Sequence, residues 1–121
     1  ALLVQEADTG YWELPGGRID VGEERMAHRE ILAREMAEEL GPQFQIEVGT
    51  EAVSWVRQRP VDGVFQFLVA RVCRHVSGEP VLSDEHAACR WVDAMEWQHM
   101  TLPPSSDYQH GLAQLFGLLR R

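Results

Sequence analysis

The sequence predicts an α/β fold, a β-sheet with helices packed on it. Apolar side chains recur at four-residue spacing at Leu32, Met36 and Leu40, the mark of one helix. Leu112, Leu115, Phe116 and Leu119 mark a second helix near the C-terminus. The remaining apolar stretches are β-rich and bounded by Gly, Pro and Asp. The order is therefore strand, helix, strands, helix, which leaves the helices a sheet to cover. The 121 residues fit one domain, taken as 1–121. A domain of this size buries about two-thirds of its unfolded surface and needs no covalent staple.

Each element has its own signal. "ALLVQ" is a buried strand, and because the chain opens on it without a Met, residues are expected in front of Ala1. "EADTG" is a turn. "YWEL" is a short strand ended by Pro15, and Gly16 and Gly17 lead into an irregular loop to about Met26. The helix runs from Ala27 to Leu40 and is stopped by Gly41 and Pro42. "QFQIEV" and "EAVSWVRQ" form one long bent strand or two. Asp62-Gly63 turns the chain into "VFQFLVARVCRH", expected to be a central strand. A loop, "SGEPVLSDEHAA", precedes the last strand, "CRWVD". Ser106 with Gln109 is a weak capping box for the final helix.

Composition narrows the function. Hydrophobic content of 45% and charged content of 25% are ordinary for a globular protein. A net charge of -8 argues against nucleic acid as the main partner, since phosphate backbones are bound by clustered Lys and Arg. No apolar run approaches the roughly 18 residues of a membrane span, and no signal peptide is visible, so a reducing cytoplasm is the default. Cys73 and Cys89 are read as small buried hydrophobes rather than a disulfide. Trp91 and Trp97 are read as core.

The helix carries an unusual load of charge. At about 100° per residue, Glu35, Glu38 and Glu39 fall on one side, with Leu32, Met36, Leu40, Ala33 and Ala37 mostly on the other. Like charges at this spacing cost a few tenths of a kcal/mol each. The helix C-terminus disfavours anions as well. Taken alone, the face reads as solvated surface, because Glu is a good helix former. A divalent cation would reverse both penalties, since Mg²⁺ and Mn²⁺ favour carboxylate oxygens. The Pro-Gly-Gly turn favours that second reading. Its glycines let backbone approach a ligand closely, and the loop after them carries Asp20, Glu23 and Glu24 toward the helix.

This stretch resembles the Nudix hydrolase signature GX5EX7REUXEEXGU, where U is a bulky apolar residue. Gly17 matches the first glycine, Glu23 the first glutamate, and Arg34, Glu35, Met36, Glu38, Glu39 and Gly41 match "REUXEEXG". The lead-in "YWELPGG" and the segment "DEH...RWV" are similar to the family too. Two positions depart from it. The spacer from Glu23 to Arg34 is ten residues instead of seven, and Pro42 replaces an aliphatic. The unbroken register of Leu32, Met36 and Leu40 places the surplus ahead of the helix, around Glu24, Arg25 and Met26. Glu24 is the alternative to Glu23.

The resemblance implies a Nudix-like α/β/α sandwich, a mixed β-sheet flanked by helices. It implies metal-dependent hydrolysis of a nucleoside diphosphate linked to another group, with Mg²⁺ or Mn²⁺ as cofactor and no membrane partner. Candidate substrates are nucleoside triphosphates (oxidised ones included), ADP-ribose, nucleotide sugars and dinucleoside polyphosphates. Glu35, Glu38 and Glu39 are the implied metal ligands. The Gly16 carbonyl and Glu85 are further candidates, and Glu85 reads equally as an exposed loop residue. Arg34 is implied to orient the carboxylates, and Glu23 to belong to the catalytic set. Gly17, Trp12 and Trp55 are candidate substrate contacts, with packing the competing role for both tryptophans. His28 and His86 can be proposed as bases, although each reads more simply as an ordinary histidine. Pro60 lies near where ADP-ribose-hydrolysing members carry a proline, and it is also simply part of a turn. A homodimer is common in the family. Two readings compete: a non-catalytic Nudix-like nucleotide-binding or sensor domain, and a structural domain with an acidic surface helix.

Overall fold

A computed structural model of the chain describes residues 1–17, 22–58, 62–104 and 107–119. Strand β1 (Leu2–Glu6) is the middle of a three-stranded antiparallel sheet. On one side it pairs with β2 (Trp12–Glu13), on the other with β5 (His86–Trp91). Successive side chains of a strand face opposite ways, and β1 uses both faces. Leu2 and Val4 point to a core with Met36, Leu40 and Phe44. Leu3 points to another with Trp55, Val92, Trp97, Tyr108, Leu112, Leu115 and Phe116. The first core belongs to helix α1 (His28–Leu40) and the second to helix α2 (Tyr108–Leu119). An apolar strand between two helix-covered cores is the layering of an α/β/α sandwich.

The ambiguous β stretch is one strand, β3 (Gln45–Gln58), antiparallel to β4 (Phe65–Ser77). Their register slips between Val48 and Ala52. Arg71 closes the slip by donating from Nε and Nη2 to the Gly49 carbonyl at 3.1 and 2.6 Å. Strand β4 is not central: among the described residues it pairs with β3 alone. Its Leu68, Ala70 and Val72 pack against the α2-side core, while Phe65 and Phe67 on the other face are 70% and 72% exposed. Apolar composition marked the strand but could not say that one face lacks a neighbouring layer.

Three further expectations need correction. Helix α1 buries Ile31, Glu35, Met36 and Leu40 and leaves Ala33 and Ala37 exposed. The buried arc is therefore rotated toward the row Ile31–Glu35, because burying an isoleucine removes far more apolar surface than burying an alanine. Glu35 consequently lies on the buried side and not on a separate acidic face. Trp91 is 52% exposed and tilts against His75, while the next residue, Val92, takes the core position. Trp97 is core, stacked on Phe116. Both cysteines are free, but Cys73 is exposed and Cys89 half-buried.

Helix α1 ends at Gly41, whose φ of +89° lies in the region that favours glycine. Ahead of the helix, Glu23–Arg25 form a 3-10 turn and Ala27 is the N-cap residue. The surplus of the spacer is thus taken up before the helix begins. Asp20, Pro60 and Ser106 lie outside the described residues.

Candidate active site

Arg34 gathers the acidic residues. Its guanidinium is a planar fork of five donors. Nε and Nη2 grip the two oxygens of Glu23 at 2.5 and 2.7 Å. Nη2 also reaches Glu35 Oε1 at 3.3 Å, and Nη1 donates to Glu38 Oε1 at 2.9 Å. The 3-10 turn brings Glu23 back over the helix, where it is buried. Such a carboxylate needs this bidentate, charge-assisted partner. Glu24 does not replace it: Glu24 is exposed and its carboxylate accepts the Gly22 N–H of its own turn. Hydrogen bonds to Glu23 and Glu38 hold the Arg34 proton more tightly than usual.

The Pro-Gly-Gly turn comes down on the same helix. The Gly16 N–H donates to Glu39 Oε2 at 2.7 Å. A Cβ on Gly17 would stand 2.6 Å from Glu35 Oε2, so a glycine here lets the backbone pass without moving this carboxylate. Burial, together with the charges of Glu35, Glu13 and Glu85, pushes the Glu39 carboxyl up to about 7 against the opposing Gly16 hydrogen bond. Glu85 is an exposed residue just before β5, yet its charge acts on Glu39. The fold therefore brings the β5 loop to the C-terminal end of α1.

A second group lies beside the first, on β2, β3 and β5. Burial and Glu6 push the Glu13 carboxyl up, and His86 and Arg57 oppose them. His86 is buried with Nε2 3.7 Å from Glu13 Oε1. His28 stands apart, its Nδ1 3.2 Å from Arg71 Nη1. Among the described residues, His28 meets Arg71 and His86 meets Glu13, and neither makes a hydrogen bond or ion pair with Glu35, Glu38 or Glu39. The sequence reading missed Glu13, Arg57 and Arg71. A charged residue at the inward-facing position two after Trp55 was the available signal for Arg57.

A cavity of about 540 Å³ is lined by members of both groups. Gly16, Gly17 and Glu35 line it together with Glu13, Trp55 and Arg57, while Glu38 and Glu39 are not among its lining residues. Trp12 packs against the α2-side core and is not among the residues lining the cavity. Trp55 is a core residue that also lines it, edge-on to Tyr108 at 5.1 Å. The Tyr108 hydroxyl accepts the Leu14 N–H at 2.5 Å and so ties α2 to the turn above the glutamates.

The donor set suits a hard divalent cation, because every side chain offered is a carboxylate. The space beside Gly17 that a side chain would fill lies against one of them. Among the described residues no three acids, histidines or cysteines are already grouped to hold a metal. Arg34 and the Gly16 N–H take up the carboxylates instead. Coordination would exchange some of these contacts.

Comparison with known proteins agrees with this geometry. The model of the NUDIX domain matches residues 1–110. Relatives named "Putative 8-oxo-dGTP diphosphatase 2" in two strains of Mycobacterium tuberculosis, CDC 1551 / Oshkosh and ATCC 25618 / H37Rv, are 36% identical over 97 residues. Those residues make up 79% of this chain and 63% of each relative, so the match spans under two-thirds of their length. The NUDIX domain of Shewanella oneidensis NrtR, solved with ADP-ribose, superposes with a TM-score of 0.60 at 21% identity. It covers 98% of this chain and 74% of that one, and it supports the fold alone. With the motif residues assembled around Arg34 and the family match running through nearly the whole chain, the protein belongs to the NUDIX domain family.

Proposed function

We propose that the protein is a metal-dependent hydrolase that cleaves the diphosphate of a nucleoside diphosphate linked to another group. One observation carries this reading: Glu23, Arg34, Glu35 and Glu38 form a single hydrogen-bonded set, with Glu39 held under the Gly16–Gly17 turn beside it. A solvated surface helix has no need of a buried glutamate pinned by an arginine fork.

In this reading Glu35, Glu38 and Glu39 would hold Mg²⁺ or Mn²⁺, joined by the Gly16 carbonyl and Glu85. When bound, such an ion neutralises phosphate charge and lowers the pKa of water. Arg34 fixes the rotamers of Glu35 and Glu38. Glu23 holds Arg34 in place and so acts as a positioning residue. Gly17 keeps the wall low enough for a phosphate to approach. One of the glutamates accepts the proton of the attacking water. Trp55 is kept as a substrate contact through the cavity it lines, and Trp12 supports the wall behind it.

Nucleoside triphosphates, oxidised ones included, head the panel to test because the relatives carry the name of an 8-oxo-dGTP diphosphatase. ADP-ribose, nucleotide sugars and dinucleoside polyphosphates complete it. The experiment follows product release with Mg²⁺ and with Mn²⁺, for wild type and for the triple variant Glu35→Gln, Glu38→Gln, Glu39→Gln. Turnover by the wild type alone supports the reading. Tight binding without turnover would mean a sensor module, and neither would mean a structural domain.

A further inference from the structure

We propose that the wall of the cavity formed by Trp55 and Arg57 is a nucleobase subsite, where the Trp55 Nε1–H and the Arg57 guanidinium read the carbonyl edge of a 6-oxopurine. The proposal rests on the reading of the site above, which puts the phosphates beside Gly16, Gly17 and Glu35 in the same cavity.

Trp55 and Arg57 are two residues apart on β3, so they project from the same face. Both line the cavity. Trp55 is 6% exposed. Its Nε1 and the Arg57 Nε are buried, and among the described residues neither has a hydrogen-bond partner. Buried N–H groups are almost always paired, and leaving one unpaired is costly. Two such donors on one cavity wall are therefore waiting for acceptors from something that enters. Packing holds the ring of this tryptophan in place. Tyr108 stands edge-on to it, and the Gly111 backbone lies so close to the ring that a Cβ there would clash. The N–H is the polar group that this fixed ring presents.

The chemistry of the wall selects the acceptor. Glu6 and Glu13 line the same cavity, and the charges of Glu6 and Arg57 both act on Glu13. Two carboxylates repel a phosphate, so the acceptor here is uncharged. A 6-oxopurine offers O6 with N7 beside it, the pair that arginine reads most often. Adenine puts an amino donor in place of O6 and would set it against the two donors of the protein. The cavity volume of about 540 Å³ also lies within the range of small-molecule sites.

The test is titration calorimetry with IMP, GMP and AMP. IMP shares O6 and N7 with GMP and lacks the 2-amino group, so it isolates the proposed contact. Wild-type protein is expected to bind IMP and GMP alike and AMP about tenfold more weakly, as for one good bidentate base contact. Trp55→Phe removes the N–H together with the pyrrole part of the indole, and Arg57→Met removes the guanidinium. Each is expected to bring the IMP/AMP preference close to one, with the fold checked by circular dichroism. If Arg57→Met does not fold, Trp55→Phe decides alone. Equal binding of IMP and AMP by wild type, no binding of any of the three, or an unchanged preference in the folded variants would overturn the proposal. Because monophosphates are bound without turnover, failure of the hydrolase reading shows separately, as base preference without hydrolysis of the panel. Failure of this proposal shows as hydrolysis without base preference.

Discussion

Replacing Glu39 by Gln should stabilise the metal-free protein at alkaline pH and leave it unchanged at acid pH. The Glu39 carboxyl is pushed from 4.5 to about 7 by burial and by the neighbouring charges of Glu35, Glu13 and Glu85. Below about pH 4.5 the group is protonated in both the folded and unfolded states and contributes nothing. Between 4.5 and 7 the unfolded chain gives up its proton first, so folded stability falls as pH rises. Above 7 the penalty is complete. At about 1.4 kcal/mol per pH unit its upper bound is about 3 kcal/mol. The carboxylate is partly open to solvent, and screening brings the expected penalty to about 1 kcal/mol. Glutamine has no charge and keeps an oxygen for the Gly16 N–H. Melting in EDTA, followed by circular dichroism from pH 4.5 to 8.5, should show Glu39→Gln above wild type by about 3–6 °C at pH 8, with the gap closing toward pH 4.5. The raised Glu13 carboxyl adds to the fall in both proteins, so the variant still loses some stability with pH. A gap independent of pH, or a variant less stable than wild type at pH 8, would refute the claim that Glu39 is held against its charge. With millimolar Mg²⁺ the order should reverse, because wild type alone regains the full donor set.

Three other substitutions test separate parts of the site. Glu38→Gln should cut turnover by orders of magnitude while lowering stability by no more than about 0.5 kcal/mol, since its side chain is 61% exposed and its partner is Arg34 at an i,i+4 position; kinetics and thermal melts on one preparation would check both halves. Arg34→Lys should lose the two-pronged grip on Glu23 and reduce kcat/KM and metal affinity by roughly 10–100-fold, with metal affinity read by calorimetry. Gly17→Ala should push Glu35 Oε2 aside and weaken metal binding more than it lowers the melting temperature, as the clashing atom is the end of a side chain; an equal effect on both would mean that the turn itself had moved.

What could be read from the sequence depended on the range of the interaction. Helix α1 was legible almost to the residue, since its periodicity and its stop at Gly41 are local. The longer spacer was legible for the same reason: an insertion within α1 would have broken the spacing of Leu32, Met36 and Leu40. The depth of Glu35 was not, because a helical pattern says which residues share a face and not how far the burying layer wraps round it. Likewise, β4 was recognised as a strand while its exposed Phe65 and Phe67 were not foreseen. Glu13, Arg57 and His86 come together from β2, β3 and β5. No spacing rule connects residues that meet only once the sheets have formed.

The charge on α1 can now be set against its local partners. Among the described residues, Arg34 is in contact with Glu23, Glu35 and Glu38. Among the described residues, Glu39 is hydrogen-bonded by the neutral Gly16 N–H and feels Glu35, Glu13 and Glu85 as repulsion. No basic residue lies in the last turn of α1 to offset the helix dipole there. The arrangement therefore resembles a folded site kept short of positive charge at one end, where the Gly16–Gly17 turn closes over it. A protein selected only for stability would gain by replacing Glu39 with a neutral residue. A glutamate at this position makes sense if the missing charge is supplied from outside, by a cation that binds the folded state and is stabilised by the same field that now raises the Glu39 carboxyl. Stability in EDTA and activity with metal should accordingly move in opposite directions when Glu39 is neutralised, and an ordinary structural glutamate would not show that opposition.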